Sequence, residues 1–222
     1  MSQGLDVEQG ARRAGQTVPV VQQVRGGLAS RWTNTCDVLI RALDIIVTVT
    51  ILFLATPVIV AVALLIRIRC GAPVLYKQKR VGKRGKIFTL YKFRTMVNGA
   101  EENTGPVLAC QNDSRVTPIG SLLRKTRLDE LPQLFNVLRG DMSLVGPRPE
   151  RPFFVSQHKA LKGIRLSVKP GLTGLAQIRS FYNLKPEHKL KYDYLYIQKR
   201  SLLLNLYILL QTVPGIFSKK GW

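Results

Sequence analysis

Carboxylates are scarce in this chain. Thirteen Asp and Glu stand against 34 Lys and Arg in 222 residues, a formal net charge of +21. An imbalance of that size implies a polyanionic neighbour: nucleic acid, anionic lipid head groups or phosphorylated substrates. Cysteine is scarce as well. Cys36, Cys70 and Cys110 are odd in number and far apart, which argues against a disulfide framework or a zinc site and for a reducing, cytosol-facing protein. The two histidines, His158 and His188, stand alone in polar surroundings and read as surface residues. Arg12 and Arg13 precede no long apolar run, so no secretory signal is expected. Residues 1–34 show no helical or strand period over most of their length and are expected to be a disordered lead-in.

Apolar surface, by contrast, is plentiful. Hydrophobic residues make up 45% of the chain and mean hydropathy is +0.04. Charge beside that much apolar surface favours a membrane over a soluble nucleic-acid complex. The length suits one domain, or one domain with an anchor.

No residue from Ile45 to Ile66 is charged. At about 1.5 Å per residue such a run could cross a hydrocarbon core of about 30 Å. Two features argue against a simple span. Thr56-Pro57 falls at its middle, where proline removes a backbone donor and bends a helix. Basic residues also flank both ends, with Arg25, Arg31 and Arg41 before and Arg67, Arg69, Lys77, Lys79 and Arg80 after. A spanning helix leaves its positive charge on one side. The pattern predicts a re-entrant helix hairpin over residues 35–69, broken at Thr56-Pro57, with both ends on one face.

Residues 67–94 hold ten Lys or Arg and no Asp or Glu. Apolar positions interleave the charge, and Gly82 and Gly85 punctuate it. Short strands or a hairpin against anionic lipid are expected, with Lys92 and Arg94 directed towards a site.

The chemistry concentrates in residues 121–150, SLLRKTRLDELPQLFNVLRGDMSLVGPRPE. A short helix should start near Ile119, with Leu122, Leu123 and Leu128 as its apolar face and Arg124, Lys125 and Arg127 elsewhere. Pro132 should open a second helix and Gly140 end it. Asp129 and Glu130 then lie just before a helix N-terminus. The dipole and Arg124 should keep them ionised. Such a carboxylate can be a metal ligand, a nucleophile or only a cap. Asp141, after Gly140, is a third carboxylate or an ordinary turn residue. Arg148 is fixed between Pro147 and Pro149, as bidentate phosphate recognition or a rigid surface turn requires. Carboxylates able to hold a divalent metal beside arginines able to hold phosphate suit chemistry on a diphosphate.

Leu128-Asp129-Glu130-Leu131-Pro132-Gln133-Leu134, Asn136-Val137-Leu138-x-Gly140-Asp141-Met142-Ser143 and Val145-Gly146-Pro147-Arg148-Pro149 together resemble the core of the bacterial sugar transferases. These are the monotopic polyprenyl-phosphate phosphoglycosyl transferases. Agreement continues in Tyr91–Met96, Arg115–Gly120 and Lys169–Gly174, and covers about residues 38–215. Leu175 stands where a tryptophan is common, and Asn205 where an aspartate is frequent. The resemblance implies the small single-domain type, a re-entrant helix broken at Thr56-Pro57, and a covalent mechanism. Asp129 would attack the sugar-bearing phosphate of a UDP-sugar, UMP would leave, and polyprenyl (undecaprenyl) phosphate would take the phosphosugar. Glu130 would bind Mg²⁺ with Asp129 and Asp141 in support. Lys92, Arg94, Arg124 and Arg148 would hold phosphate.

Helical pattern resumes over Glu187–Lys199. Residues 201–213 are nearly all apolar and too short to span, with Ser201, Asn205 and Thr212 on one narrow face. Lysines on either side favour a helix lying in the membrane interface. Tyr182, Tyr192 and Tyr196 read as packing or interfacial aromatics. The expected fold is α+β and mainly helical: a monotopic membrane protein with a re-entrant hairpin, a small β element, a cytosolic catalytic domain over 70–222 and C-terminal interfacial amphipathic helices. The expected place is the cytoplasmic face of the bacterial inner membrane, with anionic lipids as neighbours, no nucleic acid, and a homodimer left open. Two competing readings are a membrane-anchored basic module that gathers lipid or nucleic acid, and a Mg²⁺-dependent diphosphate hydrolase.

Overall fold

A computed structural model describes residues 29–102, 105, 107, 113–179 and 186–217. Most of the expected lead-in, Cys110 and Tyr182 lie outside them. Helix α1, Ala29–Cys70, runs 42 residues with Pro57 inside it, so residues 29–34 are helical rather than part of a lead-in. It is the one helix among the described residues long and apolar enough to cross a membrane, by length and composition. Its middle is bare: Phe53 is 79% exposed and Leu54 68%.

The break expected at Thr56-Pro57 does not interrupt α1. The Thr56 hydroxyl donates to the Leu52 carbonyl at 2.7 Å, a back-bond that bends helices without ending them. Both ends of α1 nevertheless rest on the same globular body. Near its start Arg41 donates to the carbonyls of Val137 (2.6 Å) and Leu138 (2.8 Å), and Asp44 accepts from Ser143 Oγ and the Leu144 amide. Near its end Val62 and Ile66 pack with Phe93 and Leu123.

The basic segment folds as expected into a hairpin. Strands β1 (Leu75–Val81) and β2 (Ile87–Phe93) pair antiparallel, with Tyr76 opposite Lys92 and Arg80 opposite Phe88. Phe88 and Leu90 enter the core from one face of β2, and that face ends in Lys92.

Helix α2, Pro118–Thr126, starts on a Thr117 cap that accepts from the Gly120 amide at 2.9 Å. Gly120 is required here, since a Cβ would lie 1.9 Å from the Thr95 carbonyl oxygen. Leu123 is buried but Leu122 stays exposed, so the apolar face is narrower than the sequence implies. Arg127 ends α2 at φ +60°, and a three-residue 3₁₀ turn, Leu128–Glu130, follows. Helix α3, Gln133–Arg139, begins after Pro132 and stops at Gly140 with φ +85°. Asn136 on α3 is fully buried and ties it to β2. Its Nδ2 donates to the Thr89 carbonyl (2.7 Å) and its Oδ1 accepts from the Tyr91 amide (3.1 Å).

Strand β3 (Ser143–Val145) pairs in parallel with β4 (Gly171–Thr173). The short helix α4 (Pro152–Gln157) lies in the connection between these strands, and α5 (Leu175–Arg179) follows β4. Helices α6 (Pro186–Lys199) and α7 (Leu202–Phe217) complete the fold. Tyr196 is buried, its hydroxyl donating at 3.0 Å to the Val145 carbonyl or Asn205 Oδ1. The polar stripe of α7 turns inward: Asn205 is buried, and Thr212 Oγ1 meets Thr173 Oγ1 at 2.8 Å. Leu204, Ile208 and Leu209 pack on the core, while Leu203 and Leu210 turn outward at 77% and 72% exposed. A helix of a soluble domain keeps its polar stripe outside. Leu175 lies in the main core, and His158 is half-buried rather than fully on the surface.

Candidate active site

Asp129 and Glu130 occupy the 3₁₀ turn between α2 and α3. Neither caps α3, whose N-cap is Pro132 with no side-chain cap hydrogen bond. The capping reading therefore falls. Asp129 is 7% exposed. Burial, and then the negative charge of Glu130, push its carboxyl up to about 6, against the pull of Lys92, Arg148 and Arg124. The dipole and arginine thus do not dominate as the sequence implies. Asp129 is still mostly ionised at neutral pH, but it lies close to its titration point.

Glu130 has the opposite fate. Burial alone would raise it, but the charge and hydrogen bond of Arg148 outweigh that and hold it below the usual carboxylate range. Arg148 Nη2 lies 2.5 Å from Glu130 Oε1. So the carboxylate partner of Arg148 is Glu130 and not its sequence neighbour Glu150, and the plain surface-turn reading does not hold.

Three more cations surround the pair. The Lys92 ammonium is pushed down to about 8 by burial, with Asp129 opposing, and sits 5.1 Å from the Tyr76 ring centroid. Arg124 is lowered by burial and held by Asp129, with its Nε donating to Thr95 Oγ1 at 2.9 Å. Arg127 is lowered by burial and attracted by Glu130. Two carboxylates of unlike basicity amid four cations can pair a nucleophile with a phosphate cradle.

Two expected members are elsewhere. Arg94 is buried, and its guanidinium donates to the carbonyls of Cys70 (2.5 Å), Gly71 (2.9 Å) and Ala72 (2.9 Å). It clamps the end of α1. Asp141 lies beyond the far end of α3, with Arg139 at 3.7 Å. A seven-residue helix is roughly 10 Å long, which separates Asp141 from the pair. Among the described residues no three His, Cys, Asp or Glu side chains gather as a metal cluster. The three-carboxylate metal set is not assembled.

Other residues join that the sequence analysis did not place there. Arg80 donates to the Pro149 carbonyl at 3.0 Å, and burial followed by the charge of Arg148 lowers it to about 10. Arg165 donates to the Arg148 carbonyl at 2.6 Å and pairs with Asp193 at 2.6 Å, both side chains 3% exposed. The Pro147–Pro149 turn is thus held by buried charge as well as by its prolines. Strand period could have placed Tyr76, Gln78 and Arg80 on the face of Lys92. Nothing local links Arg165 to Asp193.

The model of the bacterial sugar transferases matches residues 35–219, and the chain belongs to that family. It is 40% identical over 187 residues to the UDP-N-acetylgalactosamine-undecaprenyl-phosphate N-acetylgalactosaminephosphotransferase of Aeromonas hydrophila, covering 82% of this chain and 44% of the relative. It is 42% identical over 192 residues to the UDP-glucose:undecaprenyl-phosphate glucose-1-phosphate transferase of Klebsiella pneumoniae, covering 82% and 41%. The chain spans less than half the length of those two relatives. The uncharacterized sugar transferase EpsL of Bacillus subtilis matches at 39% identity over 184 residues, 83% of this chain and 90% of that one.

Proposed function

We propose that the chain transfers a sugar-1-phosphate from a UDP-sugar to undecaprenyl phosphate, releasing UMP, as the initiating step of a bacterial polysaccharide or glycoconjugate. The observation that carries this is the buried Asp129–Glu130 pair ringed by Lys92, Arg124, Arg127 and Arg148 in a member of this family. The names of the Aeromonas and Klebsiella relatives supply the donor and acceptor classes.

The chemistry follows from the unlike carboxylates. An ionised Asp129 oxygen attacks the sugar-bearing phosphorus, the bond from that phosphorus to the UMP oxygen breaks, and UMP leaves with the electron pair. A phosphosugar is then held on Asp129 as an acyl phosphate. An oxygen of polyprenyl phosphate attacks the same phosphorus and frees the Asp129 carboxylate. Lys92, Arg124 and Arg127 face the charge that spreads over the phosphoryl oxygens, and Arg148 holds Glu130 ionised. The two adjacent carboxylates fit Mg²⁺, which takes one or two protein carboxylates and completes its shell with substrate phosphates and water. Held by Glu130 with Asp129, it would neutralise diphosphate charge.

The re-entrant topology is part of this proposal. An apolar helix docked at Arg41 and again at Ile66 on one body supports a chain that returns to the side from which it enters. The outward leucines of α7 suit the interface plane. The cytoplasmic face of the inner membrane is where UDP-sugars are. A nucleic-acid module would have no use for two buried carboxylates, which repel a polyanion.

The test is a panel of UDP-sugars with Mg²⁺, in the presence and absence of undecaprenyl phosphate. Steady UMP release that requires the acceptor supports the transferase. Steady release without acceptor supports hydrolysis of the donor instead, and no release with any donor rejects the transferase.

A further inference from the structure

At the end of α3 remote from Asp129, a cavity of about 180 Å³ opens against α1. Four cations line it, Arg41, Lys83, Lys169 and Arg200, with Asp37 and Asp44. Both carboxylates are already engaged. Asp44 is buried and accepts from Ser143 Oγ and the Leu144 amide, and Asp37 holds the Arg200 guanidinium. Arg41 donates to two carbonyls, which leave its charge unneutralised. The ammonium groups of Lys83 and Lys169 make no hydrogen bond or salt bridge among the described residues. The wall therefore carries two more positive charges than negative.

The location narrows what could neutralise them. Asp44 immediately precedes Ile45, the first residue of the uncharged run of α1. The cavity lies where the apolar helix leaves the polar domain. A ligand there would have its anionic group among the lysines, at the level where the uncharged run of α1 begins.

We propose that this cavity is a second phosphate site, separate from the Asp129–Glu130 centre, that binds the phosphate of an anionic phospholipid head group. The proposal rests on the membrane reading of α1 given above. Lys83 comes from the turn between β1 and β2, and Lys169 from the segment before β4. A phosphodiester bridging them would tie the hairpin that carries Lys92 to the strand pair beneath the Pro147–Pro149 turn. Partial burial and the charge of Arg41 disfavour the Lys169 ammonium, with Asp44 opposing and Lys83 adding to the repulsion, which a bound anion relieves.

The experiment is native mass spectrometry of the full chain released from detergent, titrated with dioleoyl phosphatidylglycerol or with dioleoyl phosphatidylcholine. It reads lipid retention and needs no turnover, so a failed transferase assay does not affect it. The wild type should retain one phosphatidylglycerol in preference to phosphatidylcholine. Lys83→Gln with Lys169→Gln should weaken phosphatidylglycerol retention about tenfold or more and leave phosphatidylcholine unchanged. Lys83→Arg with Lys169→Arg should restore it, and Asp129→Asn should not alter it. Equal phosphatidylglycerol retention by the wild type and the glutamine variant would overturn the site. Inorganic phosphate separates lipid from soluble sources. Complete displacement of the lipid by phosphate at equal concentration would overturn the lipid assignment, and little displacement supports it.

Discussion

The raised carboxyl of Asp129 ties reactivity to instability at one residue. Its folded value of about 6 lies above the ordinary 3.8, so the folded chain binds this proton more tightly than the unfolded chain. Stability from this group is then full below about pH 4 and is lost as pH rises through about 6. Asp129→Asn should therefore melt higher than wild type at pH 7.5, by on the order of 2–3 kcal/mol, with the gap closing near pH 4. The same variant should not turn over. In the wild type the acid limb of kcat/KM should fall below about pH 6, because only the ionised carboxylate attacks phosphorus. Arg148 offers a complementary test. A lysine cannot both keep the Nη2 contact to Glu130 and present a planar guanidinium to phosphate, so Arg148→Lys should cost about 2–3 kcal/mol of transition-state stabilisation, roughly 30- to 150-fold in rate. Unchanged melting beside that loss would keep Arg148 in the site, and equal losses in both would return it to the scaffold.

Elements decide which sequence-level expectations hold. The adjacent pair Asp129-Glu130 was legible because two neighbours in a short turn cannot be separated by folding. The hairpin was legible from charge interleaved with apolar residues, and α3 from Pro132 and Gly140. Lys92 and Arg94 share a strand face by period alone, yet β2 ends at Phe93. Arg94 therefore leaves the pleat and turns to the carbonyls that end α1. Asp141 failed for a different reason: the motif is compact in sequence, but the helix inside it holds its two ends apart. Arg127 joins the site through a left-handed backbone that no residue type announces. Arg94→Ala should consequently lower stability by about 1–3 kcal/mol, as buried carbonyls lose their donor. Phosphosugar transfer per folded molecule should stay near wild type. A large rate loss at unchanged melting would put Arg94 back among the phosphate ligands.

At the scale of the molecule, one long apolar helix is held at both ends by a single body, and α7 turns Leu203 and Leu210 to the outside. That arrangement predicts a chain that enters the bilayer from one side and returns to it. A cysteine placed at Ser30, in a background without native cysteines, should resist an impermeant reagent added to intact cells and react after permeabilisation. Labelling in intact cells would contradict the hairpin. Pro57→Leu, which restores the missing backbone donor, should shift part of the population towards that labelled state.

The central claim is that one site serves a soluble donor and a membrane-bound acceptor in turn through Asp129. It is tested most directly by intact mass of the full chain after incubation with UDP-sugars and Mg²⁺, with no lipid acceptor present. The account predicts a mass increase equal to one phosphosugar, matched by one UMP released, absent in Asp129→Asn and discharged on adding undecaprenyl phosphate. Acceptor-dependent turnover with no adduct at any time point, or an adduct that survives in Asp129→Asn, would contradict it.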